Sequence, residues 1–327
     1  MFLYEASQTK LIDEFANDID EGFSKPYKTI KPKYLYDEVG SQIFEEICLQ
    51  EEYYPTKTEL CIIKTQSNKI AEYFKNYSLV ELGSGSSVKT MFLLQSFLSF
   101  KKPIYYFPID VSHSILYESI KKISNELPDV YVKGVAGDYL EGIRKINEYI
   151  IKNNYIPKEK FILFLGSTIG NFEQAEIGKF LKILYEQMMP RDSIMIGFDL
   201  VKDVKTLEDA YNDKAGMTSR FNLNLLNRIN KELGGHFDIS KFKHFSFFNI
   251  REQRIEMHLI SKVNQSVRID KLKKSYEFAA DEHIHTENSY KYTVDKIQQI
   301  ASKLGFRVLQ NFLDDKGWYN LAILSKD

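Results

Sequence analysis

The middle of the chain alternates short apolar runs with amphipathic stretches of helical length, a pattern that few folds accept. Residues 78–82, 104–109, 161–165 and 193–198 read as buried parallel strands, and 131–136 as a weaker one. Between them, 89–100, 114–126, 140–153 and 174–189 read as helices. The alternation predicts a doubly wound α/β sheet, in which ligands gather at the carboxyl ends of the strands.

The C-terminal end changes character. After a helical stretch at 293–304, two strand-like runs at 306–312 and 318–324 flank a DDKG turn, the mark of an antiparallel hairpin closing one edge of the sheet. A parallel core ending in such a hairpin is the layout of Rossmann-like methyltransferases. Residues 61–199 and 291–327 are therefore expected to form that α/β domain. The blocks 1–60 and 200–290 fall outside the alternation. The first reads as helical with an aromatic-rich loop, the second as helical and then strand-forming at 254–262 and 266–269. Together they are expected to make one discontinuous α+β accessory domain, folded over the mouth of the sheet to bind substrate.

Composition narrows the partners. In 327 residues, 44 Lys and Arg balance 45 Asp and Glu, so neither nucleic acid nor an anionic membrane is expected, and a small molecule is. Cys48 and Cys61 form no CxxC pair, which points to a reducing compartment. The start of the chain has no signal-peptide pattern, and no apolar stretch reaches about 18 residues. A cytoplasmic monomer is the expectation.

The most informative local string is VELGSGSSVKT, Val80 to Thr90. A dinucleotide fingerprint needs a third glycine where Val88 stands, and a phosphate loop needs glycine at that same position before Lys89 and Thr90. The E-x-G-x-G loop of S-adenosylmethionine enzymes has no such requirement, because a methionine carboxylate and amine lie there instead of phosphates. Asp110, ending the next strand, is placed to grip a ribose through two carboxylate oxygens. Asp138 and Tyr139, after the following strand, suit an adenine amino group and its ring face. The plainer alternative is that Asp110 and Asp138 cap helices.

YDEVGSQIFEEI, EEYYPTKTE, ELGSGSSVKT, DVS, FLGSTIGNF, AYND, GMTSRFNLNLL, RIEMHL and TENSYKY occur in this order from Tyr36 to Tyr292. Together they resemble the L-histidine Nα-methyltransferase family of the ergothioneine pathway. That broader family also includes fungal enzymes acting on the amine of a prenylated tryptophan. The resemblance implies that S-adenosylmethionine is held by Tyr36, Gly83, Lys89, Asp110, Asp138 and Tyr139, the last often Phe in relatives. It implies that Asn171 and Tyr211 hold the amino-acid backbone, with Gly166 beside them, and that Tyr53 faces the substrate amine. Glu287 and Ser289 then read the imidazole next to Met257, and Tyr53 and Asn171 carry the catalytic alignment. No metal is expected: His283 and His285, even with His258, read as a His-x-His loop without a carboxylate set nearby.

Overall fold

The computed structural model describes residues 2–5 and 8–326. Contacts divide the chain into two compact units, one of Met1–Glu5, Pro55–Val201 and Lys291–Asp327, the other of Ala6–Tyr54 and Lys202–Tyr290.

The first unit is built on a nine-stranded sheet. Its order runs Phe2–Glu5, Gly134–Ala136, Ile104–Asp110, Ser78–Leu82, Lys160–Phe164, Ser193–Asp199, Tyr319–Ser325 and Arg307–Leu313, with Val130–Val132 also paired to Ile104–Asp110. Pairing is parallel as far as Ser193–Asp199 and antiparallel through the C-terminal pair. The strand order reverses direction at Ser78–Leu82, so a crevice opens at its carboxyl end between the neighbours on either side. Central strands of this kind are covered on both faces, and every residue of Ser78–Leu82, Lys160–Phe164 and Ser193–Asp199 is buried. Phe74 of the helix Tyr54–Phe74 stacks on Phe161 at 3.9 Å between ring centroids, sealing one face.

Two sequence expectations are corrected here. The weak run at 131–136 is two strands interrupted at Lys133, whose N–H donates instead to the Tyr106 carbonyl. Phe2–Glu5, expected in the accessory block, adds an edge strand to this sheet.

The second unit holds a four-stranded sheet ordered Lys28–Thr29, His283–Tyr290, Arg254–Ser261 and Phe242–Asn249. A separate hairpin pairs Gln265–Ile269 with Lys274–Phe278. The helix Met217–Leu233 buries Phe221, Leu225, Leu226, Ile229 and Leu233, a spacing of three and four that makes one apolar stripe. It stops at Gly234, in the left-handed conformation glycine adopts without strain. Asp37 caps the neighbouring helix Glu38–Leu49 by accepting from the Gly40 N–H, and the same oxygen accepts from Asn224. His283 and His285 lie on a strand, not on the loop that the sequence suggests. Among the described residues no helix is long and apolar enough to cross a membrane.

Candidate active site

In the first unit the glycine loop leaves the strand Ser78–Leu82 and enters the helix Val88–Leu98. Gly83 has φ +70°, and a Cβ there would lie 2.9 Å from the Tyr139 hydroxyl, so both backbone and neighbour call for glycine. Asp110 is buried, and its carboxylate accepts from the N–H of Gly85 at 2.8 Å and of Ser112 at 2.9 Å. Burial pushes its carboxyl up from the ordinary value, and the Ser112 and Gly85 N–H groups pull it back. Asp110 therefore shapes the loop rather than capping a helix. Asp138 does cap one: it accepts from the Leu140 and Glu141 N–H groups at the start of Tyr139–Lys152. Tyr139 packs edge-on against Phe164 at 5.7 Å and Phe180 at 6.3 Å.

Two acids beneath this loop hold it in place: Glu81, the acid of the E-x-G-x-G string, and Glu59, which the motifs did not single out. Glu81 is buried and accepts from the Thr90 hydroxyl at 2.6 Å and from the Tyr106 hydroxyl, tying strand, helix and loop together. Burial raises its carboxyl to about 7, against the pull of those two hydrogen bonds. Glu59 is fully buried and accepts from the Gly166 N–H at 2.8 Å and the Tyr319 hydroxyl at 2.7 Å, and it pairs with Lys89. A Cβ at Gly197 would collide with both the Glu59 carboxylate and the Tyr319 hydroxyl, so glycine there makes room for the network. The signal was present in the sequence: Glu59, Ile62 and Ile63 share one helix face by their spacing of three and four, and both isoleucines are buried.

Lys89 and Gly166, assigned by resemblance to cofactor and substrate, thus meet at the Glu59 carboxylate. Gly166 and Ser167 both lie in the left-handed region, at φ +76° and +55°, at the end of the strand Lys160–Phe164. Non-glycine backbone in that region carries strain that clusters at functional turns. Asn171 ends the short 3-10 turn Thr168–Asn171 that follows and is partly exposed.

The second unit gathers the remaining predicted residues. Tyr36 packs edge-on against Phe44 and Phe221, Phe44 against Tyr53, and Tyr53 against Tyr211, each at 5.4–6.1 Å between ring centroids. The Tyr211 hydroxyl donates to the Ser289 hydroxyl at 2.7 Å. Met257 stands opposite Glu287 across the strand pair, and Ile255 opposite Ser289. Met257, Glu287 and Ser289 are all buried. Burial, with Tyr211, Cys48, Tyr36 and Glu287 nearby, pushes Tyr53 well above its ordinary value of 10, so it is a neutral hydroxyl. Tyr36, Tyr53, Tyr211, Met257, Glu287 and Ser289 therefore belong to one polar and aromatic cluster.

Residues 15–326 match the family described as histidine-specific methyltransferase, SAM-dependent. The chain is 36% identical over 306 residues to a histidine N-alpha-methyltransferase of Mycolicibacterium smegmatis, covering 94% of this chain and 93% of the relative. It is 35% identical over 311 residues to the protein of that name from Mycobacterium tuberculosis, covering 94% of each. It is also 27% identical over 330 residues to an L-tryptophan methyltransferase of Psilocybe serbica, covering 93% of this chain and 90% of the relative. With nearly its whole length matched, the chain belongs to the family of histidine-specific, S-adenosylmethionine-dependent methyltransferases.

Proposed function

We propose that this protein transfers methyl groups from S-adenosylmethionine to the α-amino group of L-histidine, three in succession, giving the trimethylammonium betaine hercynine for ergothioneine synthesis. The observation that carries the choice of amino acid is the buried Glu287 carboxylate facing Met257, with the Ser289 hydroxyl two residues along the same strand and bonded to Tyr211. A carboxylate beside a hydroxyl suits a side chain with two ring nitrogens, and would stand desolvated against a phenyl ring.

The residues of the first unit fit the cofactor. A Cβ at Gly85 would meet nothing within 4 Å, so the loop leaves room for a ligand. The buried Ser84 hydroxyl has no hydrogen-bond partner within the protein. Gly83, Lys89, Asp110, Asp138 and Tyr139 are the groups of this unit assigned to it, and the resemblance adds Tyr36 from the second unit. Asp110 grips the ribose, Asp138 and Tyr139 take the adenine, and Lys89, steadied by Glu59, meets the methionine carboxylate. When bound, the cofactor supplies an electrophilic methyl group on a positively charged sulfur.

The work left to the protein is alignment. The Asn171 amide donates to the substrate carboxylate and accepts from the amine, with Gly166 and Tyr211 bounding the amino-acid backbone. Tyr53, a neutral hydroxyl, accepts from an amine N–H in the first two transfers and leaves the nitrogen lone pair turned toward the methyl group. Neither group has to become charged. Each of the first two products is an ammonium that gives up a proton to water before the next attack. The third transfer, from the neutral dimethylated amine without an N–H, leaves a fixed positive charge. The enzyme acts as a cytoplasmic monomer on a small molecule.

Incubation of the purified protein with S-adenosylmethionine and L-histidine, followed by mass spectrometry, tests the reading. Trimethylated histidine should accumulate, and a product that stops at one methyl would contradict the three-step claim. Asn171→Ala should raise KM strongly, and Tyr53→Phe should lower kcat more than it raises KM. Unchanged kinetics in both variants would show that the amine and carboxylate lie elsewhere.

A further inference from the structure

The four-stranded sheet of the second unit carries chemistry on the face opposite Met257 and Glu287. Along the pair Arg254–Ser261 and His283–Tyr290, Glu256 stands opposite Asn288 and Met257 opposite Glu287, but His258 then stands opposite His285. Thr286 is the extra residue, and its hydroxyl donates to the Met257 carbonyl at 3.0 Å. Simple alternation would put His285 on the same side as Glu287. The bulge turns it to the other face, where its ring stacks on His258 with centroids 4.9 Å apart and planes 28° apart.

Glu256 completes the group. One of its oxygens accepts from Asn249 at 2.9 Å and from Arg254 Nε at 2.8 Å, while the other lies 3.3 Å from His258 Nε2. His285 Nε2 lies 3.1 Å from the Glu287 carbonyl, which only accepts, so that nitrogen donates and Nδ1 is the one able to ligate. His258 is about nine-tenths buried, and its Nδ1 has no hydrogen-bond partner. If His258 were only a packed histidine bonded to Glu256, this buried nitrogen would be left orphaned.

We propose that Glu256, His258 and His285 bind one divalent transition-metal ion of the zinc class, at a site separate from methyl transfer. One potential ligand atom from each residue lies within 4.8 Å of the other two. Bonds of about 2.0–2.1 Å in tetrahedral geometry need ligand atoms about 3.3 Å apart, so side-chain adjustments of about an ångström close the site. Two imidazoles and a carboxylate suit zinc, with water in the fourth position. The Glu287 carbonyl on His285 and the Asn249 and Arg254 donors on Glu256 are the outer contacts that orient such ligands.

Untagged full-length protein, stripped with chelator, is titrated with zinc against a chromophoric competitor in the absence of histidine. Wild type and Cys61→Ser should each bind one equivalent, and His285→Ala and Glu256→Gln should each bind at least about tenfold more weakly. Zinc should raise the thermal midpoint of wild type, and at the same concentration raise it less in both of those variants. His285 is only partly buried and Glu256→Gln is isosteric, so two independent substitutions report on the site. Failure of wild type to take up one equivalent, undiminished binding in His285→Ala and Glu256→Gln, or loss in Cys61→Ser alone would overturn the proposal.

Discussion

Glu81 is the acid of the E-x-G-x-G loop, and the fold opposes its ionisation. Its carboxyl titrates near 7 in the folded protein and near the ordinary 4.5 in the unfolded chain. Between those values the unfolded chain loses the proton and the folded protein keeps it, so stability falls as pH rises from 4.5 to 7 and levels off above. The shift amounts to roughly 3 kcal/mol. Denaturant unfolding of wild type and Glu81→Gln across that window should show the wild type losing ground relative to the variant, and parallel curves would contradict the assignment. Asp110 makes a different kind of contribution, since both of its oxygens already hold backbone N–H groups. Asp110→Ala should weaken S-adenosylhomocysteine binding by about 1–3 kcal/mol. Calorimetry measures it, and an unchanged affinity would remove Asp110 from the cofactor site.

At the scale of elements, Asp138 is a helix cap as well as a residue proposed for the adenine. One oxygen serves the N-terminus of Tyr139–Lys152, as the plainer sequence reading allowed. Asp138→Ala should cost about 1 kcal/mol of stability and Asp138→Asn much less, because asparagine also caps. Equal midpoints for the two variants in denaturant would mean that the cap contributes nothing. The parallel strands were legible because buried strands are runs of apolar residues, and Ser78–Leu82 appears with its predicted limits. His283–Tyr290 was not, because HIHTENSY has no apolar alternation and contains the bulge at Thr286. The same bulge hid the approach of Glu256 to His285. Phe2–Glu5 is four residues at a sheet edge, too short for periodicity to register.

Over the whole molecule, each unit is assembled from separated stretches of chain, and the contact division falls at Tyr54/Pro55, in the first turn of the helix Tyr54–Phe74. A boundary at 60/61, drawn where the strand–helix alternation begins, has no way to find a division inside a helix. The candidate site was legible to the extent that each of its proposed residues sits in a long distinctive string, as Tyr53 does in EEYYPTKTE and Glu287 in TENSYKY. Glu59 lies in the first of those strings, but its role depends on Lys89, Gly166 and Tyr319, which are distant in sequence and joined only by the fold. The central claim, that the buried Glu287 selects histidine, is tested most directly by kcat/KM for methyl transfer to L-histidine, L-tryptophan and L-phenylalanine, in wild type and Glu287→Ala. A preference for histidine of at least about tenfold is predicted in wild type, reduced in the variant. Equal values for histidine and tryptophan, or no methylated histidine at all, would contradict it.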